Sequence, residues 1–551
     1  MASNKIINYQ IFTRLYGNRC QTRKPFGTIE ENGCGKLNDF TPSVLKQIRE
    51  KGITHVWYTG VIRHATMTDY SQYGIPRQHP AVVKGRAGSP YAIADYYDID
   101  PDLAVNVDKR MEEFEKLVNR THRAGLKMII DFVPNHVARQ YQSICKPKGV
   151  KDLGEDDDPQ QGFNPERNNF YYCPGEAFTP YFDLYHGEVE PYHEEPAKAT
   201  GNDCFCNAPG QNDWYETVKL NYGVDYYAGG IGHFIPVPDT WKKMLDILLF
   251  WASKGIDGFR CDMAEMVPAD FWAYATAQVK QKYPELLFIG EVYNPNEYRH
   301  YIASGFDYLY DKVGMYDVLR DITCHRRGTG DITQAWQHTD DIRQHMLYFL
   351  ENHDEQRIAS DFFAGDAQKA VPALVVSTLL ERNPFMLYAG QEYGERGMDA
   401  EGFSGRDGRT TIFDYWSVDT LNRAAEGTLT AEEQSLASIY NKVLVIAQKE
   451  KAVSEGLMFD LMYANRQYGA QYAFLRKSEK SLLLVVVNFD DVAVDMNLTI
   501  PAHAFDYMDI KEQTCHAVDL LTDENLTFTL KRDGVVTVAL KPRGAVVFKL
   551  S

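Results

Sequence analysis

Four short polar clusters each follow an apolar run of strand length. Asp131, Asn135 and His136 come after Met128-Ile129-Ile130, and Arg260 and Asp262 after Ile256-Asp257-Gly258-Phe259. Glu291 comes after Leu287-Phe288-Ile289-Gly290, and Asn352, His353 and Asp354 after Leu347-Tyr348-Phe349-Leu350. A carboxylate beside an arginine is held ionised and oriented, which suits Asp262 to nucleophilic attack. Glu291 has no basic neighbour in sequence. Desolvation and the charge of Asp262 are expected to let it keep a proton for a leaving group. Asp354 is a third carboxyl, suited to transition-state charge and hydroxyls, and His136 and His353 can donate to hydroxyls. One nucleophilic carboxylate and one carboxylic acid about 5–5.5 Å apart are what retaining cleavage of an acetal requires. A single acid after a strand is commonly a solvated turn residue. Four clusters in the same structural position carry far more weight.

The elements that must position these groups alternate. Ile6 to Phe12 reads as a strand. Thr41 to Lys51 reads as a helix, with Thr41 as N-cap and Pro42 at its first position. Ile53 to Tyr58 is a strand, and Asp108 to Ala124 a helix stopped by Gly125. Leu126 to Val133 is a buried strand. Residues 138–236 then lose periodicity and fill with Asp, Asn, Gly, Pro and Tyr, too long a stretch for a loop. Strand and helix pairs resume with a helix from Thr240 to Ser253, N-capped by Asp239, and end with a helix from Glu432 to Lys449. Repeated units of this kind predict an α/β chain with an eight-stranded parallel (β/α)8 barrel, a TIM barrel. A doubly wound open sheet is the alternative. In a barrel the four clusters all fall at the C-terminal mouth. The last hundred residues predict short strands, among them Leu482 to Asn488, Val492 to Ile500, Phe528 to Lys531 and Val535 to Leu540, with no helix, hence a small β-sandwich. The expected divisions are 1–136 for the first part of the barrel, 137–236 for an insertion, 237–450 for the rest of the barrel and 451–551 for the sandwich.

Composition narrows the partner. The 551 residues carry a formal charge of −18, which argues against nucleic acid or an anionic membrane. Aromatics reach 13%, with 35 Tyr, which fits a neutral, hydroxyl-covered ligand on which rings stack. Nine Cys without a framework and an N-terminus lacking a signal-peptide pattern favour a cytoplasmic setting. A removed leader would leave the same pattern. The composition does not address oligomeric state.

In their order and wording these segments resemble the signature regions of the α-amylase superfamily of glycoside hydrolases. The matching stretches are Asp131-Phe-Val-Pro-Asn135-His136, Gly258-Phe-Arg260-Cys-Asp262, Gly290-Glu291-Val and Phe349-Leu-Glu-Asn352-His353-Asp354. Tyr91-Ala-Ile-Ala-Asp95-Tyr96 and Gly390-Gln-Glu392 fit as well, and the aperiodic stretch fits the inserted domain B. The resemblance implies Asp262 as nucleophile, Glu291 as general acid and base, and Asp354 as transition-state stabiliser. It implies Arg260, His136, His353 and Tyr91 as sugar-binding residues. The run from Phe403 to Thr410, with Arg409, resembles a loop approaching the substrate's non-reducing side, and a glycine-rich turn explains it nearly as well. The implied activity is hydrolysis of α-1,4-glucosidic bonds in starch- or glycogen-type glucans or maltooligosaccharides. Transglycosylation is the near alternative, and a non-catalytic glucan-binding protein a remoter one.

Two departures stand out. The family's Lys-His after the nucleophile is Glu265-Met266 here, which leaves acceptor-side specificity open. The Asp of a late domain B motif is Lys219 in Val218-Lys219-Leu220-Asn221. That Asp is a calcium ligand in many relatives, along with an Asn matched here by Asn135. A lysine ammonium can fill a cation's place, so no metal or other cofactor is expected to be required, and calcium is the lesser expectation. Cys173, Cys204, Cys206, His186 and His193 in the insertion could ligate zinc, but the spacing fits no known finger and scattered thiols are the better reading.

Overall fold

The computed structural model describes residues 5–401 and 405–551. Residues 1–4, which open the N-terminus, and Phe403 and Ser404 of the glycine-rich run lie outside the described residues.

Eight parallel strands close into a barrel in chain order. They are β1 (Ile7–Phe12), β2 (His55–Thr59), β3 (Lys127–Phe132) and β4 (Gly258–Cys261), followed by β5 (Leu287–Gly290), β6 (Tyr308–Tyr310), β7 (Met346–Phe349) and β8 (Phe385–Tyr388). β8 pairs back onto β1, Ile7 lying opposite Phe385. The doubly wound alternative is therefore excluded. Side chains alternate along each strand, so every second residue enters the lumen. Trp57, Ile129, Ile289, Leu347 and Met386, one from each of five strands, pack there with Tyr310 and Phe349 as a cluster separate from the main core. The other faces pack under the surrounding helices, where Phe114, Leu248, Trp251 and Trp272 are buried.

The helices start for local reasons. Pro42–Glu50 begins at Thr41, whose side chain accepts from Val44 N–H, as the sequence predicts. Arg110–Arg123 begins two residues later than expected because a 3₁₀ turn, Val107–Lys109, precedes it. Asp239–Ser253 corrects the expected cap. Pro238 is the N-cap residue and Asp239 lies in the first turn, where its charge favours the helix dipole.

The chain leaves the barrel after β3 and returns through Asp239–Ser253. The stretch between is held by very short ladders. His136–Ala138 pairs with Thr217–Lys219, and Tyr172–Cys173 with Ala197–Lys198. Polar ties such as Arg139 to Glu194 at 2.7 Å supplement them. Such short strands leave no periodic signature in the sequence.

Beyond the barrel the chain forms a six-stranded antiparallel sheet and a two-stranded antiparallel ladder, Val494–Ile500 with Gly534–Leu540. Leu482–Asn488 sits within the larger sheet where the sequence places a strand. The expectation of no helix is wrong. Ala502–Met508 is helical, burying Ala504, Phe505 and Met508. Seven residues are too few to display a helical period. No helix among the described residues is long and apolar enough to cross a membrane.

Candidate active site

The register of the barrel brings the four clusters together. Arg260 on β4 lies opposite Asp131 on β3 and Ile289 on β5. Ile289 faces the lumen, so Glu291, two residues on, emerges on the same side at the strand end. Asp262 stands in the same relation to Arg260. The barrel therefore delivers Arg260, Asp262 and Glu291 to one point without help from loops.

Arg260 is fully buried and grips both acids. Its Nη1 lies 2.7 Å from Asp262 Oδ1 and its Nη2 2.8 Å from Glu291 Oε2. Asp131 Oδ1 is 3.6 Å from the same Nη1. Its other oxygen accepts from Trp57 Nε1 at 3.0 Å. Glu291, which has no basic neighbour in sequence, thus gains one in the fold. The partner comes from the neighbouring strand, three-dimensionally adjacent and thirty-one positions away. Met263 N–H also donates to Glu291 Oε2, at 2.8 Å. Met263 holds φ at 43°, a left-handed conformation that costs a side-chain-bearing residue of order 1 kcal/mol or more. That strain points the amide at the acid.

Asp354 approaches from β7. Its Oδ2 is 3.0 Å from His353 Nε2. Loss of solvation opposes ionisation of Asp354, but His353 beside it, then Arg260 and Arg409, outweigh this and pull its carboxyl down to about 2. Asp262 moves the other way. Burial pushes its carboxyl well above the ordinary range against the pull of Arg260, and the charges of Glu291 and Asp354 add to the rise. At Asp262 burial outweighs the guanidinium, against the sequence expectation that Arg260 holds this carboxyl ionised, whereas Asp354 is held ionised.

His353 is fixed on three sides. Tyr91 OH lies 2.6 Å from its Nε2, Gln10 Nε2 lies 2.8 Å from its Nδ1, and the Tyr91 ring stacks on it at 5.2 Å between centroids. His136 lies across the cleft with Trp214 packed on it at 5.2 Å. Burial, and then the nearby Lys219 and Lys84 charges, lower His136 to about 3, so it is a neutral ring at working pH. A cavity of about 300 Å³ joins these groups, walled by Tyr91, His136, Asp262, Glu291 and Asp354 with Trp214 and Tyr293.

Of the eight site residues named from sequence, Arg260 lies beneath the acids and Tyr91, His136, Asp262, Glu291, His353 and Asp354 converge around them. Arg409 does not line the cavity. Its Nη1 pairs with Asp407 at 2.7 Å, and its Nε donates to the backbone carbonyl of Asp354. Sequence reasoning missed Tyr293, Trp214, Gln10 and Tyr310, whose OH accepts from Arg260 Nε at 3.2 Å. Tyr293 follows Glu291 at a spacing of two and could have been found by extending the strand's alternation. Trp214 lies in the aperiodic insertion and gave no such signal.

The donor set implied for calcium does not fit a metal here. Lys219 Nζ lies 2.6 Å from Asn135 Oδ1 and 2.6 Å from Asp203 Oδ1. The ammonium occupies the ground between these oxygens. Burial lowers the Lys219 ammonium's pKa, with Asp203 opposing. The cysteines and histidines of the insertion do not gather either. Cys204 and Cys206 Sγ are 3.4 Å apart. The one His, Cys, Asp and Glu group among the described residues with clustered donor atoms is Asp95, Asp98 and Cys145, and Arg63 and Arg110 already neutralise it.

Comparison with known proteins agrees with this geometry. Residues 23–434 match the model of the α-amylase catalytic domain, and residues 464–551 that of the α-amylase C-terminal all-β domain. Alpha-amylase 3 of Dictyoglomus thermophilum is 25% identical over 433 residues, covering 74% of this chain and 75% of that protein. A cyclomaltodextrinase of Thermoanaerobacter pseudethanolicus is 23% identical, covering 72% of this chain and 57% of that one. The solved structure of a maltogenic α-amylase, AmyB, from Thermotoga neapolitana superposes with a TM-score of 0.64 at 19% identity, over 100% of this chain and 99% of that one. A catalytic-domain match across most of the chain, on a barrel that carries the acids at its mouth, establishes that this protein is a glycosidase-type enzyme of the α-amylase family.

Proposed function

We propose that this enzyme cleaves α-1,4-glucosidic bonds of starch- or glycogen-type glucans or maltooligosaccharides with retention of configuration. The observation that carries the reading is one guanidinium shared by two carboxylates, with a third carboxylate alongside. A shared guanidinium favours the short carboxyl separation of retaining pairs, about 5–5.5 Å, over the wider spacing that admits a water.

Asp262 is the nucleophile. It attacks as the carboxylate: the Arg260 ion pair at Oδ1 opposes the rise that burial causes, and Oδ2 attacks the anomeric carbon. Glu291 gives its proton to the departing glycosidic oxygen, and the bond from that oxygen to the anomeric carbon breaks as the bond to Asp262 forms. Asp354, held down by His353, stays ionised and stabilises the oxocarbenium-like charge. Tyr91 and His353 form a stacked wall for the reacting sugar, and neutral His136 donates to or accepts from its hydroxyls. In the second half, Glu291 takes a proton from the incoming hydroxyl and Asp262 departs. Water as the incoming group gives hydrolysis, and a sugar hydroxyl gives transfer. The named relatives span both outcomes, since a cyclomaltodextrinase and a cyclomaltodextrin glucanotransferase both occur among them.

No metal-dependent step is needed in this scheme, and we assign the place of the family's calcium to the Lys219 ammonium. The acidic, hydroxyl-seeking cleft takes a neutral glucan in preference to nucleic acid or a membrane surface, in a cytoplasmic setting. Incubation with maltoheptaose, with products resolved by size, tests the reading. Shorter products alone mean hydrolysis, longer ones mean transfer, and no change overturns it.

A further inference from the structure

The two oxygens of Glu291 are not equivalent. Oε2 is taken by Arg260 Nη2 and by Met263 N–H, each at 2.8 Å. Oε1 meets neither. Its partner is the phenol of Tyr293, which donates to it at 2.7 Å. A proton on Oε2 would face a guanidinium and an amide, so Oε1 is the oxygen that carries it. The phenol therefore sits on the oxygen that exchanges the catalytic proton. Tyr293 lines the same cavity. Burial, and then the charge of Glu291, raise its phenol well above the ordinary value, so it acts as a neutral donor.

Tyr293 is itself held. Glu265 Oε2 accepts from Tyr293 N–H at 3.1 Å and from Asn294 N–H at 3.0 Å. The backbone carbonyl of Glu265 accepts from Tyr301 OH at 3.0 Å. Glu265 stands where the resemblance led one to expect a sugar-binding lysine. Its carboxylate is turned to the backbone of the loop after β5 instead of to a ligand.

We propose that Tyr293 sets the balance between the acid and base roles of Glu291, and that Glu265 is the positioning residue that keeps Tyr293 there. This rests on the reading of Glu291 as the proton donor. The phenol donates to Oε1 much more strongly while Glu291 is ionised. When Oε1 bears the proton, that oxygen is a poorer acceptor and the phenol's donation weakens. The contact thus favours the ionised form, which is the form that acts as base in the second half-reaction. No atom is lost or gained by Tyr293 in the cycle. The hydrogen bond strengthens when the proton leaves Glu291 and weakens when it returns.

The test compares pH profiles of kcat/KM for the wild type, Tyr293→Phe, Glu265→Ala and Glu265→Gln on maltoheptaose, with α-glucosyl fluoride as a second substrate. Removing the phenol hydroxyl should move the basic limb to higher pH by about one unit, the scale of one hydrogen bond to a charged group. Glu265→Ala should move the same limb the same way by a smaller amount. Glu265→Gln, which keeps an oxygen acceptor for the two amides, should restore it. A purely structural Tyr293 would instead change KM or melting temperature and leave the limb in place, and that result overturns the inference. The two readings fail separately. Wild type inactive on both substrates overturns the glucan reading and this inference with it. Active wild type with a superimposable Tyr293→Phe profile overturns this inference alone.

Discussion

Arg260 and Glu291 stand 2.8 Å apart, Nη2 to Oε2, although thirty-one residues separate them in sequence. The same guanidinium holds Asp262 at 2.7 Å. Asp262 and Glu291 are thus tied into one ion network through a single guanidinium.

Replacing Asp262 with Asn removes the attacking oxygen while keeping size and the hydrogen bond to Arg260. We expect kcat to fall by at least about 10³-fold with the fold intact. Wild-type product should emerge as the α-anomer. NMR of fresh product and steady-state kinetics check both points. Near-normal turnover of the variant would reassign the nucleophile.

Glu291→Gln removes the donated proton. The loss should be severe on maltooligosaccharides and much smaller on α-glucosyl fluoride, whose leaving group needs little protonation. Equal losses on both substrates would move the donor role to another carboxyl, Asp354 first.

Lys219 is buried, and two oxygens depend on it. Lys219→Ala leaves Asn135 and Asp203 facing each other without a cation. Breaking such a pair costs about 2–3 kcal/mol, less than for a wholly buried pair because Asp203 is partly exposed. If the Lys219 ammonium takes the place of a calcium ion, as proposed, chelator should leave the wild-type melting temperature unchanged. A melting temperature that falls by several degrees with EDTA and recovers with Ca²⁺ would refute the ammonium's role.

His136 gives a pH prediction with a definite sign. Its folded value, about 3, lies below the ordinary histidine value of 6.5. Between those values the unfolded chain binds a proton that the folded chain does not, so stability falls as pH drops through that window and is unaffected above it. The slope is about 1.4 kcal/mol per pH unit for this one group. Other buried groups titrate too, so the check is a difference. Denaturant unfolding of His136→Asn against wild type should show the variant gaining about 2 kcal/mol, relative to wild type, between pH 7 and pH 5. A pH-independent difference would mean that His136 protonates freely in the fold.

The sequence alone determined what depends on local order. Short apolar runs of strand length alternating with helices, helix starts such as Thr41-Pro42 and the polar residues just past each strand predict a barrel with acids at its mouth. Those signals are local, and barrel geometry fixes where a strand end points. Tertiary structure decided what depends on lateral neighbours. Register puts Arg260 between Asp262 and Glu291, while side-chain placement beyond the strand ends assigns Oε1 of Glu291 to Tyr293 and turns Arg409 onto Asp407 and the Asp354 backbone. The insertion was the least legible part. Its ladders are two or three residues long and its order comes from pairs such as Lys219 with Asp203, sixteen residues apart. A contact between side chains brought together by folding leaves no period along the chain, so the sequence could name Lys219 as unusual while only the fold could show which oxygens it holds.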